Sequence, residues 1–487
     1  MAYRPDSEAP LLAKADHSAP SMPAAVKWNK YPFFCAVLAS MTSVLTGYNV
    51  AVMSGAQIFM AEDIGVTDTQ IEVLAGVINI YSLIGALLAG WTSDRYGRRL
   101  TIVLTNVFFL VGALTMTLAG GFAALMVGRF VAGIGVGYAF VIGPVYAAEI
   151  APASSRGLLT CLPEIFCASG AMLSYVSNLV FSGLPVHLSW RVMFGAGVVP
   201  TVFLAAGVLT MPESPRWLAM KGRVAEAKAV LHKTSDTADE ADQRLLEIEE
   251  VVSSGNRGSV DGGGGSSASA WREVATKPGV RRVLAMVLTL QFFQQASGID
   301  MMVLYGPRIL ATAGVTSSTL ILSLNILFGV AKAAPVLITM VLADRVGRRP
   351  LLLFSTGGMT ASLLLLGALF AVGTKDDAAV AAVSVAAAVA YVVAFALGFG
   401  PLAWVYSSEI LPLRLRGQGA GLGTAMNRIM CGVVIMTFIS LYQAITMAGV
   451  FFLYAAIATA AFVFVYLCLP ETRGRSLEYM EELFHTK

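Results

Sequence analysis

Apolar runs of membrane-spanning length recur along almost the whole chain, separated by short polar stretches. A helix that crosses the bilayer core needs about 20 consecutive apolar residues. Twelve runs meet this length, six on each side of a longer polar segment. The pattern predicts an all-α membrane protein whose twelve transmembrane helices lie near 32–52, 72–91, 100–119, 124–146, 159–182, 190–211, 283–306, 318–342, 350–372, 378–405, 417–440 and 447–469.

A short charged motif occurs twice, as DRYGRR at 94–99 and as DRVGRR at 344–349. Each copy lies between two apolar runs, so each is predicted to be a tight turn between two spans. Two copies at equivalent places indicate two similar halves, an organisation typical of secondary transporters. We expect six-helix bundles over 32–211 and 283–469, a cytoplasmic segment over 212–282, and tails over 1–31 and 470–487.

The polar segments have their own patterns. Residues 1–31 are Pro/Ala-rich, with no apolar stretch typical of a signal peptide, and are predicted to be disordered. In the middle segment, 223–233 and 239–252 show helical spacing with mixed charge, which predicts short amphipathic helices. Residues 253–270 are Gly/Ser-rich and are predicted to form a flexible linker.

Composition and charge agree with a membrane protein. Hydrophobic residues make up 56% of the chain and charged residues only 13%, with mean hydropathy +0.72, whereas soluble proteins carry about 25% charged residues. A net charge of +3 is too small to indicate a nucleic-acid partner. The tails, the repeated turns and the middle segment hold most Lys and Arg, while 53–71 holds none. The positive-inside rule therefore places both termini in the cytoplasm.

Acidic and basic residues also occur together at other span ends on the same side, in AAEIAPASSRG, SSEILPLRLRG, PESPR and PETRG. Such residues can form salt bridges that depend on conformation, and we expect them to favour the outward-open state. The alternative is that they only anchor the helix ends. The candidate gating residues are Asp94, Arg95, Arg98, Arg99, Glu149, Arg156, Glu213, Arg216, Asp344, Arg345, Arg348, Arg349, Glu409, Arg416, Glu471 and Arg473.

Several motifs in order along 31–483 resemble those of the sugar porters of the major facilitator superfamily: GWTSDRYGRR, GRFVAGIGVG, PESPRWL, QQASGID, GFGPLAW and PETRGRSLE. PVYAAEIAPASSRG and FFQQASGID are similar to the plant polyol/monosaccharide branch. The resemblance implies two bundles that rock about a central site, with a polyol, cyclitol or monosaccharide as substrate. We expect a monomer in the plasma membrane, with the vacuolar membrane as the alternative, and no cofactor or metal, with a proton as the coupling ion where transport is coupled.

Polar groups inside a membrane are costly, so each is a candidate for function. Gln294 and Gln295 offer the donors and acceptors that sugar hydroxyls need, although interhelical hydrogen bonds are the alternative. Asp300 follows Ser297-Gly298, where we expect the seventh span to break. Similar porters usually have Asn there, and polyol transporters have Asp.

Aromatic and amide side chains extend this candidate site. Trp404 follows GFGP, in what we expect to be another helix break, and could stack on a sugar; an interfacial position is the alternative. Asn427 and Tyr305 occupy positions that contact substrate in similar transporters, although Tyr305 could instead be a gate or a packing residue.

Two charges inside spans are distinctive. Glu164 in the fifth span and Lys332 in the eighth stand where many hexose porters carry Gln and Asn. They could pair across the cavity, bind hydroxyls directly, or form a structural ion pair. The sequence leaves these alternatives open.

The chain departs from proton-coupled relatives at one position. Similar symporters have an Asp in the first span that pairs with an Arg in the fourth; here the Arg is present as Arg129, but Asn49 replaces the acid. Asn cannot titrate. The protein is therefore either a facilitator or a symporter in which Glu164 or Asp300 takes up the proton instead, after burial has raised its pKa.

Other classes of function fit less well. A non-transporting sugar sensor usually has long cytoplasmic extensions, and a drug antiporter would lack QQASGID and PESPRWL. An enzyme is not expected, because the histidines His17, His187, His232 and His485 lie outside the spans and form no site. Glycines such as those at 133, 135 and 137 lie in a span, where they permit close helix packing.

Overall fold

The computed structural model describes residues 29–152, 156–260, 278–372, 378–411 and 416–472. Every regular element in these ranges is a helix. The first half contains five continuous spans and a sixth that is interrupted at Ala196–Gly197. Their helices are Lys30–Ala51, Asp68–Tyr96, Arg98–Thr117, Phe122–Ile150, Arg156–Phe181, and Val186–Gly195 with Val198–Val208.

The second half repeats the plan with more breaks. The seventh and tenth spans are each divided, and the eleventh and twelfth form one helical run that turns at Thr446 (φ 68°, ψ 160°). The helices are Pro278–Ala296, Ile299–Leu304, Gly306–Thr312, Ser318–Val346, Arg348–Val372, Ala378–Ala396, Phe399–Ile410 and Arg416–Cys468.

Ten helices of the described chain are long and apolar enough to cross a membrane. The difference from twelve has two causes. The seventh span is cut into pieces of 19, 6 and 7 residues, and the last two spans are counted as one 53-residue helix. A straight helix of that length would measure about 80 Å, far more than a bilayer core of about 30 Å. The prediction of twelve transmembrane helices in two bundles is confirmed.

Glycines bring the helices of the first half into close contact. A Cβ on Gly137 of the fourth span would lie 2.1 Å from the carbonyl oxygen of Ser82 in the second span. A Cβ on Gly47 of the first span would lie 1.9 Å from the carbonyl oxygen of Cys167 in the fifth. The glycine-rich stretch of the fourth span therefore serves helix packing, as predicted.

Four helices lie outside the spans. Met53–Ile64 continues from the first span, and Pro215–Met220, Val224–Thr234 and Ala238–Val260 follow the first half. The two predicted amphipathic helices are confirmed. The last helix extends into the segment 253–270 that was predicted to be a linker, so that prediction is wrong for 253–260; the remainder, like residues 1–28, lies outside the described chain.

The middle segment is attached to the first half. Asn29, which caps the first span through its Oδ1, also donates from Nδ2 to the carbonyl oxygens of Lys233 (2.7 Å) and Ser235 (3.0 Å). Arg244 donates to the carbonyl oxygen of Glu149 at 3.2 Å. These contacts hold the helical segment against the end of the first half that carries the DRYGRR turn.

Candidate functional site

The spans of both halves end at two opposite faces of the molecule. We call the face with the turns at 94–99 and 344–349 the motif face, and the face with residues 65–67 the opposite face. The halves are bonded to each other toward the opposite face: the carboxylate of Glu72, only 1% exposed, accepts from N (2.9 Å) and Oγ (2.5 Å) of Ser440. Asn325 Nδ2 donates to Ser54 Oγ at 3.0 Å. In the described chain the opposite face is therefore closed.

Contacts between the halves continue to mid-depth. Gly76 of the second span lies against Gly432 and Met436 of the eleventh, and Gly329 of the eighth span lies against Met172 and Tyr175 of the fifth. We call these residues the contact layer. The predicted site residues lie at this layer and on its motif-face side.

Four amide side chains of the second half form one hydrogen-bonded cluster. Asn427, which is fully buried, donates from Nδ2 to Oε1 of Gln291 at 2.9 Å and to Oε1 of Gln294. Gln295 Nε2 donates to Asn427 Oδ1 at 3.2 Å. Gln291 was not predicted, although its spacing of three and four residues from Gln294 and Gln295 places all three on neighbouring helical positions.

The cluster uses most of its own hydrogen-bonding capacity. Asn427 Oδ1 also accepts from Arg428 Nη2 at 2.7 Å. An amide side chain has two donors and two acceptor lone pairs, so all the hydrogen-bond donors and acceptors of the Asn427 side chain are used within the protein. Gln295 Oε1, in contrast, is buried without a partner in the described chain. Asn427 thus holds the glutamines in place, and Gln295 keeps an acceptor free.

The two predicted helix breaks are confirmed. At the first, Gly298 adopts φ 89°, a conformation that suits glycine, and Tyr391 Oη donates to the freed carbonyl oxygen of Ser297 at 2.8 Å. At the second, the tenth span stops before Gly398; Thr339 Oγ1 donates to the carbonyl oxygen of Ala396 at 3.1 Å, and Ser355 Oγ accepts from the N–H of Phe399 at 2.9 Å. Side chains therefore satisfy the backbone groups that the breaks release.

Trp404 lies within the helix that follows this break, not in the break itself. It is four residues after Gly400, whose carbonyl oxygen accepts from Gln294 Nε2 at 2.6 Å, so it shares the helix face that meets the glutamine cluster. Its side chain is 36% exposed. This placement leaves its indole accessible beside the cluster.

Asp300 and Lys332 form an ion pair within the second half, with 3.2 Å between Oδ1 and Nζ. The second carboxylate oxygen of Asp300 accepts from Cys431 Sγ at 3.0 Å. Lys332 is three residues from Gly329 of the contact layer, and 37% of its side chain is exposed. The partner of Lys332 is therefore Asp300 of its own half, and the pairing with Glu164 that the sequence left open does not occur in this structure.

Glu164 is exposed and has no hydrogen-bond or ion-pair partner among the described residues. It is eight residues from Met172 and eleven from Tyr175, so it lies on the face of the fifth span that meets the second half. Its position is two turns closer to the motif face than the contact layer. The thiol of Cys167 is within electrostatic range of Glu164, Lys332, Arg428 and Asp300 alike.

Tyr305 is fully buried in this conformation. Its hydroxyl donates to the carbonyl oxygen of Ile435 at 2.9 Å, and its ring stacks on Phe438 with centroids 5.0 Å apart. In the closed opposite face Tyr305 therefore packs the interior of the second half.

Asn49 and Arg129 contact each other through the backbone. Arg129 Nη1 donates to the carbonyl oxygen of Asn49 at 2.9 Å, and the side chain of Asn49 donates instead to the carbonyl oxygen of Leu45 at 2.9 Å. The guanidinium of Arg129 also lies 5.4 Å from the ring of Phe194, and its Nη2 is buried without a partner in the described chain. No side-chain carboxylate pairs with Arg129 in the described residues.

On the motif face, Arg98 joins three elements of the first half. Its guanidinium forms a two-point ion pair with Glu149 (2.8 and 2.9 Å) and contacts Asp94 at 3.3 Å. The carboxylate of Glu213 accepts from the backbone N–H groups of Arg98 (2.8 Å) and Arg99 (3.2 Å). A carboxylate at a helix N-terminus is stabilised by these free N–H groups.

The second half repeats this network. Arg348 donates to Glu409 at 3.0 and 3.2 Å, and Glu471 accepts from the backbone N–H groups of Arg348 and Arg349, both at 2.9 Å. Gly97 and Gly347 precede the capped helices with φ 102° and 106°. The two networks thus use the same residue types, although Arg98 binds both carboxylate oxygens of Glu149 and Arg348 binds only one of Glu409, whose other oxygen accepts from Thr472.

Other predicted gating residues have different positions. Arg95 lies over the rings of Trp91 and Tyr96 instead of joining the network. Four predicted gating residues have side chains outside the described chain: Arg156, Asp344, Arg416 and Arg473. Arg216 and Arg345 form no hydrogen bond or ion pair with another side chain of the described chain. Each network lies within one half and is formed while the opposite face is closed, so a role in favouring the outward-open state stays a prediction.

Comparison with known proteins agrees with this architecture. Residues 35–484 match the sequence profile of the family described as Sugar (and other) transporter. The chain is 50% identical to Polyol transporter 5 of Arabidopsis thaliana, over 94% of this chain and 87% of the relative. It is 32% identical to Glucose transporter GlcP of Staphylococcus epidermidis, over 94% and 97%.

Solved structures show the same fold. The inward open conformation of the xylose transporter XylE from E. coli superposes with a TM-score of 0.77 at 25% identity, covering 93% of this chain and all of that one. The proton:xylose symporter XylE bound to 6-bromo-6-deoxy-D-glucose gives 0.74 at 27% identity, covering 94% and 100%. The chain therefore belongs to the sugar transporter family of the major facilitator superfamily and is a multi-pass membrane transporter, not an enzyme.

Proposed function

We propose that this protein carries polyols, cyclitols or monosaccharides across the plasma membrane by alternating access. The observation that carries the proposal is the placement of Gln295, Asp300, Lys332 and Glu164 around the line where the halves separate. Amides and charges there supply both donors and acceptors for hydroxyl groups. The names of the relatives, a polyol transporter and a glucose transporter, support this class of substrate.

The motif face is the cytoplasmic face in this proposal, because Lys and Arg are concentrated on it. The structure, closed at the opposite face, then corresponds to a carrier that faces the cytoplasm. Its superposition with the inward open conformation of XylE supports this assignment. Rocking of the halves would open the opposite face and give the outward-facing state.

Coupling to protons has two candidates. Symport is the activity named for XylE, and Glu164, an unpaired carboxylate beside the site, is the group we expect to carry the proton. The second candidate is facilitated transport, which the geometry of Asn49 and Arg129 favours, because no carboxylate there can exchange a proton with the guanidinium.

Uptake into proteoliposomes tests both candidates. Labelled glucitol and glucose would be supplied with and without an inward proton gradient. Accumulation above equilibrium that collapses with a protonophore supports symport, and saturable uptake that only reaches equilibrium supports a facilitator. Uptake of neither compound would contradict the proposed substrate class and favour a sensor or another substrate.

A further inference from the structure

Arg428 is a charged residue inside the eleventh span, and no motif of the sequence singles it out. Its Nη2 donates to Asn427 Oδ1, its Nε is buried without a partner, and no carboxylate pairs with it in the described chain. Its guanidinium lies 4.7 Å from the ring of Phe140, which belongs to the fourth span of the other half. The attraction between a cation and the face of a ring helps to hold the guanidinium in place.

The position of Arg428 matches that of Glu164. Arg428 is four residues before Gly432 and eight before Met436, so it lies on the face of the eleventh span that meets the first half. It is on the motif-face side of the contact layer, as Glu164 is on the fifth span, which meets the eighth. The thiol of Cys167 is within electrostatic range of both charges.

Of the four charged side chains within electrostatic range of Cys167, two form an ion pair with each other and two form none in the described chain. Asp300 and Lys332 pair with each other within the second half. Glu164 of the first half and Arg428 of the second remain without an ion-pair partner in the described residues. Arg428 is within electrostatic range of Asp300, and Glu164 of Lys332. Closure of the halves on the motif face would still desolvate both groups, which is costly for a charge without a direct hydrogen-bonded partner.

We propose that Glu164 and Arg428 bind the same substrate molecule from opposite halves. This inference rests on the proposed function and adds to it a second-half residue and a binding geometry. A hydroxyl group both donates and accepts, so a polyhydroxylated substrate donates to the carboxylate of Glu164 and accepts from the guanidinium of Arg428. The hydroxyl groups of the substrate thereby replace hydrogen bonds to water that both side chains lose as the halves close. Gln295 Oε1, the free acceptor of the amide cluster, receives a neighbouring hydroxyl.

A double-mutant cycle on substrate affinity tests the inference. Equilibrium binding of labelled glucitol and glucose would be measured on the purified full-length protein in nanodiscs. Glu164→Gln and Arg428→Gln are each expected to weaken binding roughly 10- to 100-fold, as for the loss of a hydrogen bond to a charged group. The double variant is expected to be only slightly weaker than the weaker single variant, because the two residues act on one bound molecule.

Matched controls separate local from general effects. Arg282→Gln and Glu62→Gln remove exposed charges away from the site and are expected to leave affinity unchanged. Monodispersity and the unfolding temperature report folding; if Arg428→Gln does not fold, Arg428→Lys, which keeps the charge but loses the planar fork, completes the cycle.

The outcomes distinguish this inference from the function on which it rests. Wild-type affinity in Arg428→Gln would overturn the proposal that Glu164 and Arg428 bind one substrate molecule. An affinity loss in the double variant that equals the product of the two single losses would also overturn it. Either result would leave the proposed transport function intact. Failure of the wild-type protein to bind glucitol or glucose would instead contradict the proposed substrates.

Discussion

Asp68 and Arg308 form an ion pair of 2.6 Å that joins the two halves at the opposite face. Five residues before Asp68, Asp63 forms a similar pair of 2.7 Å with Arg191 of its own half. The two pairs lie on the same face and use the same chemical groups. They differ in whether they must break when that face opens, which makes them a matched comparison.

Arg308→Gln is expected to shift the population toward the state that is open at the opposite face. The variant loses the pair with Asp68, which only the closed state contains, so the equilibrium should change by about 1 kcal/mol, or roughly 5-fold. Arg191→Gln removes a pair that both states keep, and it is expected to leave the populations unchanged.

Spin-label distances across the opposite face measure this shift. Leu118 and Thr316 are exposed ends of spans in different halves and suit the labels. A longer distance component that grows in Arg308→Gln but not in Arg191→Gln is the expected result. Equal distance distributions in the two variants would show that the Asp68 pair does not hold the halves together.

Gly97→Ala is expected to destabilise the first half by about 1–3 kcal/mol. Gly97 has φ 102°, and a Cβ there would lie 2.4 Å from Glu213 Oε2, the carboxylate that caps the next helix. Gly90→Ala is the control, because a Cβ at that helical position meets nothing within 4 Å. Unfolding temperatures in one detergent compare them, and an unchanged value for Gly97→Ala would contradict the expected strain.

The contribution of Asp63 to stability is expected to depend on pH. Hydrogen bonds from Arg191 and then Trp190 lower the pKa of Asp63 below its usual value. A lowered folded-state pKa means that the stabilisation is present above the unfolded pKa of about 3.9 and is lost as the pH falls through the folded value.

Asp63→Asn should therefore unfold at a lower temperature than the wild-type protein at pH 7, by an amount equivalent to about 1 kcal/mol. The difference should persist down to about pH 4 and shrink below it. A difference that is already lost between pH 7 and pH 5 would assign the effect to another group.

Asn49→Asp is expected to create or strengthen pH-dependent uptake. The new carboxylate would lie beside Arg129, whose Nη2 has no partner in the described chain, and could exchange a proton as the carrier changes state. Uptake of labelled glucitol would be followed from pH 5 to pH 8, with Asn49→Ser as a control that cannot titrate. The same pH profile in Asn49→Asp and the wild-type protein would show that this position does not decide coupling.

Several features of the site followed from local sequence patterns. Gly298 and Gly398 predicted the two helix breaks because glycine, flanked by polar or aromatic residues in an apolar run, is the natural place for a helix to end. Gln294 and Gln295 stood out as polar residues in a span. The repeated turn motif predicted two similar halves, and both copies form the same network of Arg, Glu and backbone N–H groups.

Other features depended on helices that are distant along the chain. Arg428 follows Asn427 directly, and nothing local distinguishes it from an anchoring charge; its contact with Phe140 defines its position between the halves. The buried contact of Glu72 with Ser440 joins residues 368 positions apart. Neither could be read from spacing, because the rotation of one helix against another decides which side chains meet.

The sequence by itself determined the twelve spans, the two-fold repeat and the family, since apolar length, glycine positions and charged turns act locally and survive in any arrangement of the helices. Only the tertiary structure decided how the charges are paired. It placed Lys332 against Asp300 and left Glu164 and Arg428 without ion-pair partners in the described chain. The physical reason is that an ion pair requires a few ångströms between two side chains, a distance set by helix packing and not by the order of residues.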